Sequence, residues 1–283
     1  MQYNCGMDTV REDAPFHHYT AKHRLVAWVS MHLFDKITYT VQHGLLKGMK
    51  RKGGLGWVPS MFSSTTVTAE HRFWSELDLS GMTVYDVGAF HGLVTLLFAS
   101  RAKWVVSFEP NTRNYTRLME NLKLNHVTNC EVRKVGVGSR SETRKMAGRA
   151  LTPGGASIDG EAVAQLMRSG EGVVFEEISI TTLDDVVFET GAAPPDFIKI
   201  DIEGWEIEAL RGARKTLEVY KPTLFLEMHG QTIREKKRKV AEVVAFLWDV
   251  NYRLIKHIET GTAITPANAD VAMQGHLYCG RPE

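Results

Sequence analysis

Apolar positions change period along the chain, and the changes divide it. Residues 1–15 carry no pattern and read as a loose tail. From Phe16 to about Met49 the spacing is helical: Val26, Val29, Leu33, Ile37, Val41 and Leu45 recur at steps of three and four, which stacks them on one helix face. Lys50-Arg51-Lys52-Gly53-Gly54 ends that pattern. After Gly81 short apolar runs alternate with helical spacing. Strands are predicted at Thr83–Val87, Trp104–Phe108, Asn129–Val137, Phe197–Ile202 and Thr223–Met228, with closing strands at Tyr252–Ile258 and Leu277–Cys279. Helices are predicted through Leu93, Leu96, Leu97 and Ala99, and over Asn111–Leu124, Trp205–Tyr220 and Arg234–Trp248. Such alternation signals βαβ units, a mostly parallel sheet and right-handed crossovers that put helices on both faces. The predicted class is therefore α/β, doubly wound, with an N-terminal helical arm.

One stretch breaks the alternation. Residues 139–182 contain Pro153-Gly154-Gly155-Ala156-Ser157, a short helical piece and a strand-like Val173–Ile180. An insertion there reads as a lid, a substrate-facing segment or a surface elaboration. The expected organisation is a tail and arm over 1–64 and one catalytic domain over 65–283.

Charge separates the two parts. Residues 16–52 hold seven Lys/Arg against Asp35, a local charge of +6, whereas residues 53–283 sum to −3. The arm suits packing on the domain or on a second subunit; contact with an anionic membrane surface or an extended substrate stays open. A body without net positive charge argues against nucleic acid as the acceptor. Cys5, Cys130 and Cys279 form neither metal-ligand spacing nor a disulfide framework. No apolar run approaches the ~20 residues of a membrane span, and no apolar signal core opens the chain. The expectation is a cytoplasmic protein.

Candidate chemistry sits at predicted strand ends. In Val84-Tyr85-Asp86-Val87-Gly88-Ala89-Phe90-His91-Gly92 a strand turns at Gly88, and the next helix begins at Gly92. Glycine permits the tight turn and a close ligand approach. The second glycine of the dinucleotide fingerprint is missing, which counts against a nicotinamide enzyme. Asp86 would repel pyrophosphate and suits a cationic ligand such as the amino group of a methionine moiety. Glu109, in Phe108-Glu109-Pro110, follows Asp86 by 23 positions. An acid at about that distance accepts ribose hydroxyls. Together they point to an adenosine compound without pyrophosphate. Asp201 and Glu203, in Ile198-Lys199-Ile200-Asp201-Ile202-Glu203-Gly204, would border the ligand crevice, although one of them is a candidate helix cap. Glu227-Met228-His229-Gly230 brings a candidate base to the same rim.

With these motifs in view, residues of about 65–280 resemble the FkbM-type family of class I S-adenosylmethionine-dependent methyltransferases. The resemblance is carried by Asp86-Val87-Gly88-Ala89 with Gly92, Phe108-Glu109-Pro110, Thr182-Leu183-Asp184-Asp185, and Lys199 to Gly204 with Glu206, Leu210, Gly212 and Ala213; Pro222 and Leu226-Glu227-Met228-His229 complete it. It implies a Rossmann-like, seven-stranded sheet with one antiparallel edge strand, S-adenosylmethionine at the first two strand ends, and usually O-methylation. On that resemblance the cofactor falls to Glu70, Asp86, Gly88, Ala89, Gly92, Glu109, Pro110, Asn111, Val135 and Gly136. The transfer site falls to Asp201, Glu203 and His229, and the acceptor to Ser157 and Trp205. Phe90-His91 and Trp205 depart from the family's usual residues and leave the acceptor undefined.

A hydroxyl attacks well only once its proton leaves, so a general base is expected, either Asp201 or His229, with Glu203 positioning the acceptor. Mg²⁺ held by Asp201, Glu203 and Glu227 is the less favoured route, since no acidic pair shows clear octahedral spacing. A small-molecule hydroxyl acceptor is expected, from among natural products, sugars and lipid-linked compounds. RNA or protein methylation and an inactive binding protein on the same fold are the alternatives. An exposed apolar helix face would favour a homodimer.

Overall fold

The computed structural model describes residues 35–53, 67–149, 155–168 and 172–280. Most of the expected basic arm, including Val26, Val29 and Leu33, lies outside the described residues, as does Cys5. Where residues 35–53 are described, they are not helical. They form a hairpin of β1 (Thr38–Thr40) and β2 (Lys50–Lys52), antiparallel, with Tyr39 opposite Arg51. The β-branched run Ile37-Thr38 and Thr40-Val41 favours extended backbone. Gly44 and Gly48 take φ values of 77° and 89°, which a helix does not contain. The basic triplet predicted to break a helix is itself a strand.

The strands of the main sheet follow in the predicted order, with helices at Ala69–Glu76 and Leu183–Phe188 added to those predicted. Helix α1 (Ala69–Glu76) leads into β3 (Thr83–Val87), then α2 (Leu93–Ala99), β4 (Trp104–Phe108), α3 (Thr112–Leu124) and β5 (Cys130–Arg133). The third predicted strand divides here, because Gly136–Val137 leaves the main sheet as β6. It joins β7 (Glu142–Arg149) and β8 (Val173–Thr181), in the order β6-β8-β7, with α4 (Gly160–Arg168) between β7 and β8. Among the described residues the insertion is thus a small sheet with one helix. The chain returns through α5 (Leu183–Phe188), β9 (Phe197–Ile200), α6 (Glu206–Arg211), α7 (Arg214–Tyr220), β10 (Thr223–Glu227), α8 (Ile233–Asp249), β11 (Ile255–His257) and β12 (His276–Cys279). The single helix predicted from Trp205 to Tyr220 is two, parted where Gly212 meets Gly138. A Cβ on Gly212 would collide with the Gly138 carbonyl oxygen, so the chain must turn there without a side chain.

The main sheet has seven strands in the order β11-β12-β10-β9-β3-β4-β5. Neighbours from β10 to β5 are parallel, and β12 is antiparallel to both β10 and β11. The reversed strand therefore lies second from the edge, not at the edge as the resemblance implied. Strand periodicity loads the two faces differently. Tyr85, Val87, Val106, Phe108, Ile198, Ile200, Leu224 and Leu226 face α5 to α8. Val84, Val105, Phe197 and Phe225 face α1, α2 and α3, where Trp74, Leu96, Phe98 and Leu118 cover them. The strand order reverses between β3 and β9, which opens a crevice at their carboxyl ends. Among the described residues no helix is long and apolar enough to cross a membrane.

Trp74 tests how far α1 belongs to the body. It is 1% exposed, with its ring centroid 4.3 Å from Phe225 and 5.4 Å from Phe98. Trp74→Ala is expected to destabilise the domain by ~3–5 kcal/mol, the cost of emptying a buried aromatic site. Urea unfolding followed by circular dichroism reads this as a lower midpoint at unchanged slope; an unchanged midpoint would place α1 outside the cooperative unit.

Candidate active site

Gly88 follows β3 with φ 85°, and a Cβ there would collide with the carbonyl oxygen of Asp201. The turn after β3 and the segment after β9 are therefore in backbone contact, with the Asp201 amide donating to the Val87 carbonyl at 3.1 Å. Beyond them lies a cavity of about 280 Å³. Gly88, Phe90, Glu109, Pro110, Val135 and Gly136 line one end, and Asp201, Glu203, Glu227 and His229 the other. The insertion closes its side through Met146, Ser157, Ile178 and Ile180, and Trp205 adds a further wall.

At the first end Glu109 is 6% exposed. Its Oε2 accepts from the Phe90 amide at 2.8 Å, and its Oε1 accepts from the Asn111 amide at 2.9 Å and Asn114 Nδ2 at 3.4 Å. Burial pushes its pKa up to about 7, against the lowering effect of those hydrogen bonds. A carboxylate has about four acceptor positions, so capacity remains for a hydroxyl donor. Beside it, Phe90, Pro110, Val135 and Ile180 offer apolar surface for a planar base. This end fits a nucleoside.

Five predicted cofactor residues do not line the cavity: Glu70, Asp86, Ala89, Gly92 and Asn111. Asp86 is fully buried beneath the sheet end. Strand alternation turns it with Val84 toward α2, where its Oδ2 accepts from Thr95 Oγ1 at 2.6 Å. Ala89 packs in the α2 face of the core. Gly92 gives α2 room against Leu118 of α3. Glu70 accepts from Trp74 Nε1 at 3.2 Å, and burial raises its pKa. Asn111 caps α3 and donates from Nδ2 to Glu176 at 3.0 Å, on the wall of a neighbouring cleft.

At the second end the charges are organised around two bases. Lys199, 3% exposed on β9, lies 3.3 Å from Asp86 and 3.1 Å from Asp201, and donates to the Gly88 carbonyl at 3.1 Å. Burial opposes its charge, but Asp201 and Asp86 outweigh that and raise its pKa. His229 Nδ1 is 2.9 Å from Glu206 Oε1. Its Nε2 stands 3.6 Å from Glu227, 3.7 Å from Asp201 and 3.9 Å from Glu203, too far for a hydrogen bond to any of them. Burial again opposes the charge, yet Glu203, Glu206 and Asp201 hold the His229 pKa well above its usual range. Burial raises the Asp201 and Glu203 pKa values. Glu203 keeps a left-handed φ of 55°, a conformation that costs a non-glycine residue about 1–3 kcal/mol. Ser157 lines the cavity, but its hydroxyl donates to the Glu203 carbonyl at 2.9 Å and so ties the insertion to that turn.

Asp201, Glu227 and His229 each offer an atom within 4.8 Å of the others. Lys199 already takes one side of Asp201, and Glu206 takes the other nitrogen of His229. The sequence reading assigned no role to Lys199, Phe90, Asn114 or Glu206. Lys199 and Glu206 stand in the run that carries the family resemblance, and period-two alternation also puts Lys199 on the face of Asp86. The pairing of Glu206 with His229 has no sequence signal, since only the folded turn brings the two together.

Residues 86–254 match the family model described as the methyltransferase FkbM domain. No curated protein sequence matches the chain. Among solved structures, a methyltransferase FkbM from Methylobacillus flagellatus KT is similar at 19% identity and TM-score 0.48, over 72% of this chain and 45% of that one. The chain thus spans about half the length of that relative. An rRNA methylase from Streptococcus thermophilus is similar at 14% identity and TM-score 0.42, over 76% of this chain and 95% of that one. A ribosomal protein L11 methylase from Lactobacillus delbrueckii subsp. bulgaricus is similar at 11% identity and TM-score 0.40, over 76% of this chain and 77% of that one.

Glu109 makes the nucleoside end testable by calorimetry with S-adenosylhomocysteine. Glu109→Ala is expected to weaken binding at least tenfold, the loss that follows from removing hydrogen bonds to a charged acceptor. In the unaltered protein, affinity is expected to fall as pH drops through about 7, where the Glu109 carboxylate takes up its proton and stops acting as a pure acceptor. Affinity indifferent to both changes would remove Glu109 from the site.

Proposed function

The chain belongs to the FkbM methyltransferase family, and on that premise we propose that it moves the methyl group of S-adenosylmethionine to a hydroxyl oxygen of a small-molecule acceptor. The cofactor, when bound, supplies an electrophilic methyl carbon on a cationic sulfur. Everything else falls to side chains. Glu109 accepts the ribose hydroxyls, and the apolar wall of Phe90, Pro110 and Val135 covers the base. Asp201, Glu203 and Glu227 surround the transfer end with negative charge that complements a sulfonium. Asp86 then acts from beneath, by keeping Lys199 charged against the Gly88 turn, not as a direct ligand.

His229 is the base in this reading. The observation that carries it is the position of Nε2: it faces the cavity, bonded to none of the three carboxylates around it, while Nδ1 is held by Glu206. Asp201 is the weaker candidate because its Oδ2 is committed to Lys199. Glu203 and Glu227 are placed to align the acceptor hydroxyl, so that oxygen, methyl carbon and sulfur lie in line. The insertion, whose Met146, Ile178 and Ile180 line one side of the cavity, supports a small acceptor over RNA or a folded protein.

A base must be neutral to take a proton, and His229 has a raised pKa. The rate is therefore expected to rise with pH above neutrality and to be lost as pH falls through the His229 pKa. Transfer of labelled methyl to a panel of hydroxylated small molecules, with ribosomal RNA as control, tests the class of acceptor. His229→Gln should then cut turnover by ~10²-fold or more with S-adenosylhomocysteine affinity nearly unchanged. Turnover that survives in His229→Gln but not in Asp201→Asn would give the role to Asp201. Chelation is expected to leave the rate unchanged; a rate lost to chelator and restored by Mg²⁺ would overturn the metal-free route.

A further inference from the structure

The buried carboxylate that meets Nδ1 of the proposed base lies just after β9. Glu206, the first residue of α6, is 1% exposed. Its Oε1 accepts from the Gly204 amide at 2.9 Å and also meets His229 Nδ1 at 2.9 Å. We infer that Glu206 is a positioning residue of the transfer site: it fixes His229 with a proton on Nδ1 and presents Nε2 as a bare acceptor to the hydroxyl that is methylated. The inference rests on the reading of His229 as the base.

The assignment follows from donors and acceptors. An ionised carboxylate only accepts, and the Gly204 amide only donates. An oxygen already serving that amide leaves Nδ1 one compatible role, that of a second donor. In the neutral ring the lone pair is then on Nε2, the nitrogen that faces the cavity. A helix cap alone does not account for the burial. A carboxylate taken out of water costs several kcal/mol unless charge and hydrogen bonds compensate it, and His229 supplies both at 2.9 Å. The same oxygen restrains Gly204 (φ 100°) next to the strained Glu203. One side chain thus sets the base and the turn that carries an acceptor-facing acid. Asp201 and Glu203 on that turn and Glu227 on β10 also face His229, and Lys199 on β9, Lys236 on α8 and His276 on β12 act on those carboxylates.

The test uses the full chain with ¹⁵N-labelled histidine. The His229 ring signals are identified by their loss in His229→Gln and followed to a pH at which the ring is neutral. The unaltered protein should carry the proton on Nδ1. Glu206→Ala should move it toward Nε2. Glu206→Gln retains an oxygen for both donors, so the tautomer should hold while the titration midpoint falls by about one unit or more, as the nearby negative charge is lost. Affinity for S-adenosylhomocysteine should stay within a few-fold in both variants. A proton on Nε2 in the unaltered protein, or a tautomer and midpoint indifferent to both substitutions, would overturn the inference. If Glu206→Ala does not fold, the midpoint in Glu206→Gln decides it. Absence of S-adenosylhomocysteine binding by the unaltered protein is a separate result, which would sink the proposed function while the ring spectra still judge the Glu206–His229 pair.

Discussion

A single buried ammonium holds the crevice together. Lys199 sits where the strand order reverses, with Asp86 of β3 on one side and Asp201 beyond β9 on the other, and its third contact is the carbonyl of Gly88. Each partner depends on the others. Asp86 without the lysine would be a carboxylate at 0% exposure with only a threonine hydroxyl to hold it. Breaking such a buried pair by removing one partner typically costs 3–5 kcal/mol. The arrangement also joins two chain segments more than a hundred residues apart, so the Gly88 turn and the Asp201 segment are tied by side-chain as well as backbone contacts.

The charges beyond that anchor fall into an ordered gradient. At the Glu109 end burial pushes the pKa of this single acid up to about 7. Past Gly88 the walls become strongly anionic, with His229 among Asp201, Glu203, Glu206 and Glu227, and His276 on the far side of Glu227. A ligand that is neutral at its nucleoside end and cationic at its centre matches both halves.

Much of this was legible in the sequence because strand ends leave clear marks. A glycine turn after an apolar run, an acid after the next strand and the Asp201 run after a fourth located both ends of the cavity, and Gly88, Glu109, Asp201, Glu203 and His229 all line it. What a one-dimensional pattern lacks is side-chain direction and long-range partnership. Asp86 read as a ligand because it precedes Gly88 by two positions, yet the same two-residue step turns it into the α2 face. β7 escaped notice because only Met146 and Ala147 of its eight residues are buried, which leaves little hydrophobic alternation to detect. Residues 37–45 carry apolar positions at helical steps, but their β-branched backbone preference and two left-handed glycines decided the outcome locally.

The insertion is fastened to the body at the turn it helps to enclose. Ser157 donates to the Glu203 carbonyl, and Asp159 pairs at 3.2 Å with Lys239 of α8, which in turn donates to the Gly204 carbonyl at 3.1 Å. Its cavity-facing side chains, Met146, Ile178 and Ile180, take no part in those attachments. Ser157 both anchors and lines, whereas these three apolar side chains line the cavity without anchoring the insertion. Lineages can diversify what the chamber admits by exchanging three apolar side chains, without disturbing the polar fastening beneath them or the sheet that carries it.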